Sequence, residues 1–248
     1  MKIALIADVH GNLPALKTVL KHARTLGARE IWNAGDSVGF GPYPDEVLRL
    51  LSKRGALSIL GNADRKILRV KSFPPEKRAN LDAAKWQTAR WSYEQLSPAG
   101  RKFLRSFPHE RRFVSKGWKV LVTHGSPVSQ KEYLGPDTPE ERLRELAAVN
   151  PAQIIICGHS HRSYARLVDE TWFINPGSVG RPEGGDPRAS YALLKIKKAS
   201  LDVALFRLEY NIEKVVRHMR RNNLPDDDAF LISQSAAPDS QAAESGEF

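Results

Sequence analysis

Seven side chains of this 248-residue chain are of types that bind divalent metals, and each falls where the sequence pattern changes from apolar to polar. They are Asp8 and His10 in Asp-Val-His, Asp36 in Gly-Asp, Asn62 in Gly-Asn, His124 in His-Gly, and His159 and His161 in Gly-His-Ser-His. Carboxylate, amide and imidazole donors in one set suit manganese, iron, zinc or nickel better than calcium or magnesium. Two residues apart on an extended segment point the same way, so Asp8-x-His10 and His159-x-His161 each read as paired ligands. The glycines beside them let the backbone turn tightly. A lone Asp-x-His is common, and a single buried histidine is more often a core residue than a ligand. It is the joint placement of all seven that points to a metal centre.

Elements of a particular kind must hold them. Short apolar runs at Ile3 to Ala7, Glu30 to Ala34, Leu57 to Leu60, Lys119 to Thr123, Gln153 to Cys157 and Thr171 to Ile174 read as strands buried on both faces. The candidate ligands sit at the ends of the first five, where open α/β sheets place their ligands. Leu13, Leu16, Val19, Leu20, Ala23 and Leu26 share one helical face that stops at Gly27, and a second helix fits Asp45 to Arg54. A third is expected from Thr138, with Thr138 as N-cap and Glu141 closing a capping box. Strand then helix, repeated, is α/β organisation. Residues 75 to 106 read as mainly helical and interrupt the rhythm, with a helix starting at Ser97-Pro98. Two long runs, Ala189 to Lys197 and Leu201 to Tyr210, predict an antiparallel hairpin, and a last helix is expected over Ile212 to Asn222.

Composition excludes some classes. Hydrophobic residues at 41% and charged residues at 27% suit a globular protein, and no apolar run reaches bilayer length, so no membrane partner is expected. The N-terminal apolar stretch ends in Asp8 without a cleavage site and reads as a first strand, hence a cytoplasmic protein. The single cysteine, Cys157, excludes an internal disulfide and reads as a packed thiol. Residues 225 to 248 carry six acids and no Lys or Arg, leaving +16 on the rest of a chain whose net charge is +10. A basic body favours an anionic substrate and leaves nucleic acid open as a partner. The expected organisation is one domain over 1–223, a helical insertion at about 65–115, and an acidic, disordered tail over 224–248.

The ordered set D-V-H, G-D-S-V-G-F-G-P, G-N-A-D, T-H-G-S-P and G-H-S-H resembles the calcineurin-like metallophosphoesterase superfamily. The continuation I-N-P-G-S-V-G-R-P and D-P-R-A-S-Y-A-L-L is similar to its small bacterial and archaeal branch, which includes YfcE-like phosphodiesterases. The resemblance implies a four-layer α/β/β/α sandwich. It also implies two divalent transition-metal ions, manganese preferred: Asp8, His10 and His161 on one, Asn62, His124 and His159 on the other, and Asp36 bridging. Asp36, Asn62 and His124 would carry catalysis around a metal-bridging hydroxide, with no protein nucleophile.

One departure shapes the substrate. The superfamily's usual G-N-H-D is Gly61-Asn62-Ala63-Asp64 here, so the histidine that would assist the leaving group is missing. Monoesters of unactivated alcohols gain most from such an acid. The expected activity is therefore a phosphodiesterase acting on a nucleotide-like or cyclic diester. The alternatives are a dinucleoside polyphosphate hydrolase and, from another class, a non-catalytic partner-binding scaffold. Asp64 is left between a structural role and recruiting a water as acid. Asn12 reads as the cap of the first helix or a phosphate contact, and Arg181 or Arg188 as a phosphate neutraliser. Asn175 to Ser178 reads as a buttress. Gly39 to Tyr43 reads as either a lip that stacks on a base or a loop packed on the sheet. His22, His109 and His218 are taken as surface histidines.

Overall fold

Strand β1 (Lys2–Ile6) shows how the layers arise. Its side chains alternate: Ile3 and Leu5 face one apolar cluster while Ala4 and Ile6 face another, and all four are fully buried. A strand apolar on both faces needs a layer on each side. The computed structural model, which describes residues 1–74, 82–183 and 185–225, supplies both.

Two five-stranded sheets lie face to face. The first has the order β10-β9-β1-β2-β3, with β2 (Glu30–Asn33) and β3 (Leu57–Ser58) parallel to β1, and the hairpin β9 (Ala189–Ile196) and β10 (Leu201–Leu208) antiparallel. The second runs β4-β5-β6-β8-β7. Its centre, β5 (Trp118–Val122), β6 (Ile154–Ile156) and β8 (Thr171–Asn175), is parallel, and β4 (Arg111–Ser115) and β7 (Tyr164–Val168) are antiparallel edges. Ile3, Leu5 and Trp32 of the first sheet meet Val120, Val122, Ile154 and Ile156 of the second in the central core. Outside the first sheet, Leu16 and Val19 of α1 (Leu13–Thr25) and Val47 and Leu51 of α2 (Pro44–Lys53) cover Ala4 and Ile6. On the far side, Leu143 and Leu146 of α6 (Glu140–Ala148) cover Leu121, Ile155 and Phe173. The result is the expected α/β/β/α sandwich.

Between β3 and β4 lie α3 (Asn62–Arg69), a 3-10 turn at Val70–Ser72, α4 (Ala83–Gln95) and α5 (Pro98–Arg105). They share a small core of Leu60, Ile67, Tyr93, Leu96 and Leu104. Asp45 of α2 anchors this unit by accepting from the Ser97 backbone N–H at 2.9 Å and its hydroxyl at 2.7 Å, while Ser97 caps α5. The last helix, α7 (Ile212–Arg221), is capped by Asn211.

Two expectations change. The helical insertion ends before residue 111, because Arg111–Ser115 pairs with β5 as an edge strand. That strand and β7 escaped the reading of apolar runs since charged residues, Arg111 and Arg112 in the one and Arg166 in the other, interrupt these edge strands. Thr138 does not cap α6: its hydroxyl accepts from the Gly135 N–H at 2.8 Å, and Pro139 takes the cap position without a side-chain bond. The expected disorder of the tail concerns residues outside the described ones, apart from its first two.

Because Leu5 is fully enclosed between the sheets, Leu5→Ala should lower unfolding stability in urea by about 2–5 kcal/mol. Leu167→Ala, at a side chain 53% exposed on edge strand β7, should change it by less than about 0.5 kcal/mol.

Candidate metal centre

The parallel strands of both sheets end at one place, and the candidate ligands follow those ends. Asp8 and His10 leave β1, Asp36 follows β2, Asn62 follows β3, His124 follows β5, and His159 and His161 follow β6. Asp8, His10 and His161 offer ligand atoms within 4.8 Å of one another, as do Asp8, Asp36 and His124. His10 Nε2 lies 3.1 Å from His161 Nε2 and 3.9 Å from Asp36 Oδ2. His124 Nε2 lies 3.3 Å from the same Asp36 oxygen and 2.8 Å from Asn62 Oδ1. Asp36 therefore spans both halves, and Asp8 also falls in both groups. His159 stands apart from these sets: its ring is 5.0 Å from that of His124 and stacks on Tyr133 at 4.3 Å.

The backbone that delivers these side chains is unusual. Asp8, His10, Asp36, His159 and His161 all have φ between 48° and 68°. The paired motifs thus reach the site from left-handed turns and not from extended alternation, which corrects the expected geometry. Such conformations cost on the order of 1–3 kcal/mol each and persist only where the surroundings over-determine them. Here the loops are laced together: the Asp8 N–H donates to Gly35 O at 3.0 Å, the His10 N–H to Asp36 O at 2.9 Å, and the Gly158 N–H to His124 O at 2.8 Å. Close approach demands glycine at two points. A Cβ on Gly61 would overlap Asp36 Oδ1, and one on Gly35 would sit 2.8 Å from His124 Nδ1.

Further bonds orient the rings. His124 donates from Nδ1 to Ala34 O at 2.8 Å and His161 from Nδ1 to Arg181 O at 2.6 Å, leaving both Nε2 atoms aimed inward. The expected buttress is present. Asn175 donates to Gly158 O at 2.8 Å and Ser160 Oγ at 3.0 Å, while the Ser178 hydroxyl donates to Asp8 O at 2.7 Å.

The electrostatics are those of two buried anions among imidazoles. Burial pushes the Asp36 carboxyl up, but the His124 charge and hydrogen bond outweigh it and hold Asp36 well below the usual range. Asp8 is lowered in the same way against its burial, chiefly by His161. His124, although burial opposes its charge, is raised to about 10 by Asp36. Burial takes His10 down to about 3 and His159 to about 4. The donor set fits divalent ions on one further observation. Asp8 Oδ1 is fully buried and makes no hydrogen bond among the described residues, although it points between His10 and His161 at 3.8 and 3.4 Å. A bare carboxylate oxygen in that position is costly without a cation to face it.

A cleft of about 240 Å³ opens from this cluster. Phe40 stands edge-on to His10 at 5.0 Å and carries the Arg181 guanidinium on its face at 4.3 Å; Gly39, Phe40 and Arg181 line the cleft, while the rest of that loop, Gly41 to Tyr43, is buried as a packed segment. Arg188 does not line the cleft: it pairs with Asp186 at 2.8 Å, away from the site. Of the two roles expected for Asn12, the structure shows the cap. Asn12 is fully buried, accepts from the Ala15 N–H at 3.1 Å, and donates to Gly180 O and the Tyr210 hydroxyl at 3.0 Å each, which uses both amide protons. Asp64 is also sealed, its two oxygens accepting from the N–H groups of Val38 and Gly61. Burial and the nearby Asp36 raise it to about 7, but it has no exposed atom to offer as an acid. Cys157 is buried with its thiol pushed up to about 12, as inert as expected. Of the other histidines, only His109 is fully on the surface, while His22 bonds Tyr191 at 2.7 Å and His218 packs on Tyr43. Sequence reasoning missed Tyr133, whose signal would have been an aromatic in the loop after His124.

This sandwich, with polar ligands gathered at the strand ends of both sheets, defines a metallophosphoesterase architecture, and residues 1–199 match the calcineurin-like phosphoesterase superfamily domain. The chain belongs to that superfamily. It is 32% identical over 241 residues to an uncharacterised protein of Methanocaldococcus jannaschii, covering 90% of this chain and 94% of the relative. It is 29% identical over 195 residues to phosphodiesterase YfcE of Escherichia coli, covering 78% and 87%. A metallophosphoesterase from Sphaerobacter thermophilus superposes with a TM-score of 0.74 at 29% identity, covering 94% of this chain and 99% of the other.

Since a Cβ on Gly61 would press on both the carboxylate and the backbone nitrogen of Asp36, Gly61→Ala should displace that carboxylate and lower unfolding stability while leaving a folded chain at room temperature. Calorimetric titration should show manganese binding weakened by roughly 10–100-fold, with an unchanged circular dichroism spectrum.

Proposed function

We propose that the chain is a metal-dependent phosphodiesterase that adds water across a P–O bond of a nucleotide-like or cyclic diester, giving a monoester and a free hydroxyl. The observation that carries this reading is Ala63 on the cleft wall beside Asn62, with Asp64 sealed behind it. Among the described residues, every histidine lining the cleft is itself a candidate ligand, so no spare imidazole is placed to protonate a poor leaving group.

Asp8, His10 and His161 would hold one divalent ion and Asn62, His124 and His159 the other, with Asp36 shared. Two such ions, when bound, lower the pKa of water and neutralise charge on the phosphoryl group. The protein's own part is orientation and electrostatics. Nδ1 bonds to Ala34 and Arg181 carbonyls fix the rings of His124 and His161. Arg181, stacked on Phe40 at the cleft, would neutralise a non-bridging oxygen. A diester leaving group then departs on charge stabilisation in place of protonation. Kinship with YfcE, itself named a phosphodiesterase, supports the ester class. Ligating side-chain types at all seven positions speak against a scaffold. A dinucleoside polyphosphate hydrolase stays as a second reading because the cleft is basic, with Arg65, Lys66, Arg69 and Lys85 on its walls.

The test compares bis-(p-nitrophenyl) phosphate with p-nitrophenyl phosphate after chelation and reloading with manganese. The leaving group is the same, so the ratio reports ester class, and the diester should be the better substrate. A faster monoester, or turnover indifferent to chelation, would sink the reading. In Ala63→His, hydrolysis of glycerol 2-phosphate, whose alkoxide leaves poorly, should rise by about tenfold or more, in line with general-acid contributions.

A further inference from the structure

Helix α3 begins at Asn62, and residues three, four and seven positions on share its face. Those residues are Arg65, Lys66 and Arg69, and all four side chains line the cleft. With a rise of about 1.5 Å per residue, the stripe runs from the candidate metal ligand to roughly 10 Å away along the helix. Asp64, on the opposite face, is sealed in the cap of the helix, while Ile67 is buried in the insertion core and reaches only the floor of the cleft. The stripe is therefore aimed along the cleft by the packing of its own helix.

The charge of its two arginines is not spent among the described residues. Neither the Arg65 nor the Arg69 guanidinium makes an ion pair or side-chain hydrogen bond among the described residues, whereas Arg112, Arg142, Arg162 and Arg188 are each paired with carboxylates. Among the described residues, five cationic side chains line the cleft against two carboxylates, and one of those two, Asp36, belongs to the candidate metal centre. The facing wall adds Lys85 and the Phe73–Trp86 aromatic pair, whose rings are 5.6 Å apart. A basic rail beside aromatic surface suits an anion that continues past the reacting phosphate and carries a ring. A basic last turn also complements the helix dipole, but that would not require Arg65, in the first half of the helix, to enter the cleft.

Building on the phosphodiesterase reading, we propose that Arg65 and Arg69 form a second anion subsite, so that the preferred substrate carries a further phosphate beyond the one being hydrolysed. Arg65 stands nearest the reacting group and Arg69 at the outer end, and the aromatic wall takes the base between them. A second phosphate could be joined through the sugar or through an anhydride, and both offer the same chemistry to the rail.

The experiment uses the manganese-loaded full chain and the p-nitrophenyl ester of thymidine 5′-phosphate, with and without a 3′-phosphate. The scissile bond and leaving group are then identical. The expected kcat/KM gain from the 3′-phosphate is roughly tenfold or more, the scale of a charge-assisted hydrogen bond, and it should shrink with added salt. The gain should fall to near one in R65A/R69A and below one in R69E, at exposed or half-buried helix positions that tolerate replacement. The p-nitrophenyl ester of thymidine 5′-diphosphate is the anhydride arm. A gain there alone supports the subsite with a polyphosphate-type substrate, and a gain with the 3′-phosphate alone supports it with a sugar-linked one. Equal rates in both arms, or a gain that survives in R65A/R69A, would overturn the proposal. Calorimetric binding of thymidine 3′,5′-bisphosphate against thymidine 5′-phosphate separates the two levels. Tighter bisphosphate binding without any turnover would refute the phosphodiesterase reading and keep the subsite, while equal binding would refute the subsite.

Discussion

Two carboxylates, Asp8 and Asp36, lie almost wholly inside the protein at the meeting point of two sheets. Burying one unpaired charge is already expensive, and two anions close together add their repulsion. The rest of the site follows from compensating them. Imidazoles of His10, His124 and His161 crowd within 4 Å of the carboxylate oxygens, and backbone N–H groups of Ala63 and His159 donate to Asp36 and Asp8. Asp8 Oδ1 remains unbonded, so the neutralisation by protein groups alone is incomplete. That residue of uncompensated charge is the physical argument for cations in this place. The same requirement accounts for the glycines and the left-handed turns, since seven side chains can converge only if the loops approach closer than ordinary backbone permits.

The division of labour between the two parts of the chain is equally physical. The sandwich provides rigidity, with Leu5, Trp32, Val122 and Ile156 enclosed between sheets, and so fixes the candidate ligands to one another. The helical unit between β3 and β4 has its own small core and is pinned to α2 through Asp45 and Ser97. It donates a wall to the cleft rather than ligands, apart from Asn62 at its first position. Substrate preference can then vary on α3 and α4 without disturbing the ligands that stem from the other strands.

Much of this was legible in the residues. Apolar runs of four or five residues ending in glycine beside Asp, Asn or His announced both the buried parallel strands and what stands at their ends. The hairpin over Ala189–Ile196 and Leu201–Leu208 was equally plain from its two long runs. What pattern alone did not show is instructive. The strands Arg111–Ser115 and Tyr164–Val168 lie on sheet edges, and Arg111, Arg112 and Arg166 break up any apolar run in them. Thr138 has the right chemistry for a cap, but a turn three residues earlier takes its hydroxyl. The cap role of Asn12 is legible in the residues, whereas only tertiary structure reveals Gly180 and Tyr210 consuming the amide that a phosphate would need. The positive φ of Asp8, His10 and Asp36 depends on bonds between loops far apart in sequence, which no local reading contains.

The central claim is that these converging side chains form a two-ion site centred on Asp36. The most direct measurement is the metal content of manganese-reloaded, desalted protein by plasma mass spectrometry, comparing the unaltered chain with Asp36→Asn and His124→Ala at matched circular dichroism. The account predicts two equivalents per chain in the former and a loss of at least one in each variant. Less than one equivalent in the unaltered chain, or the same content in all three, would contradict it.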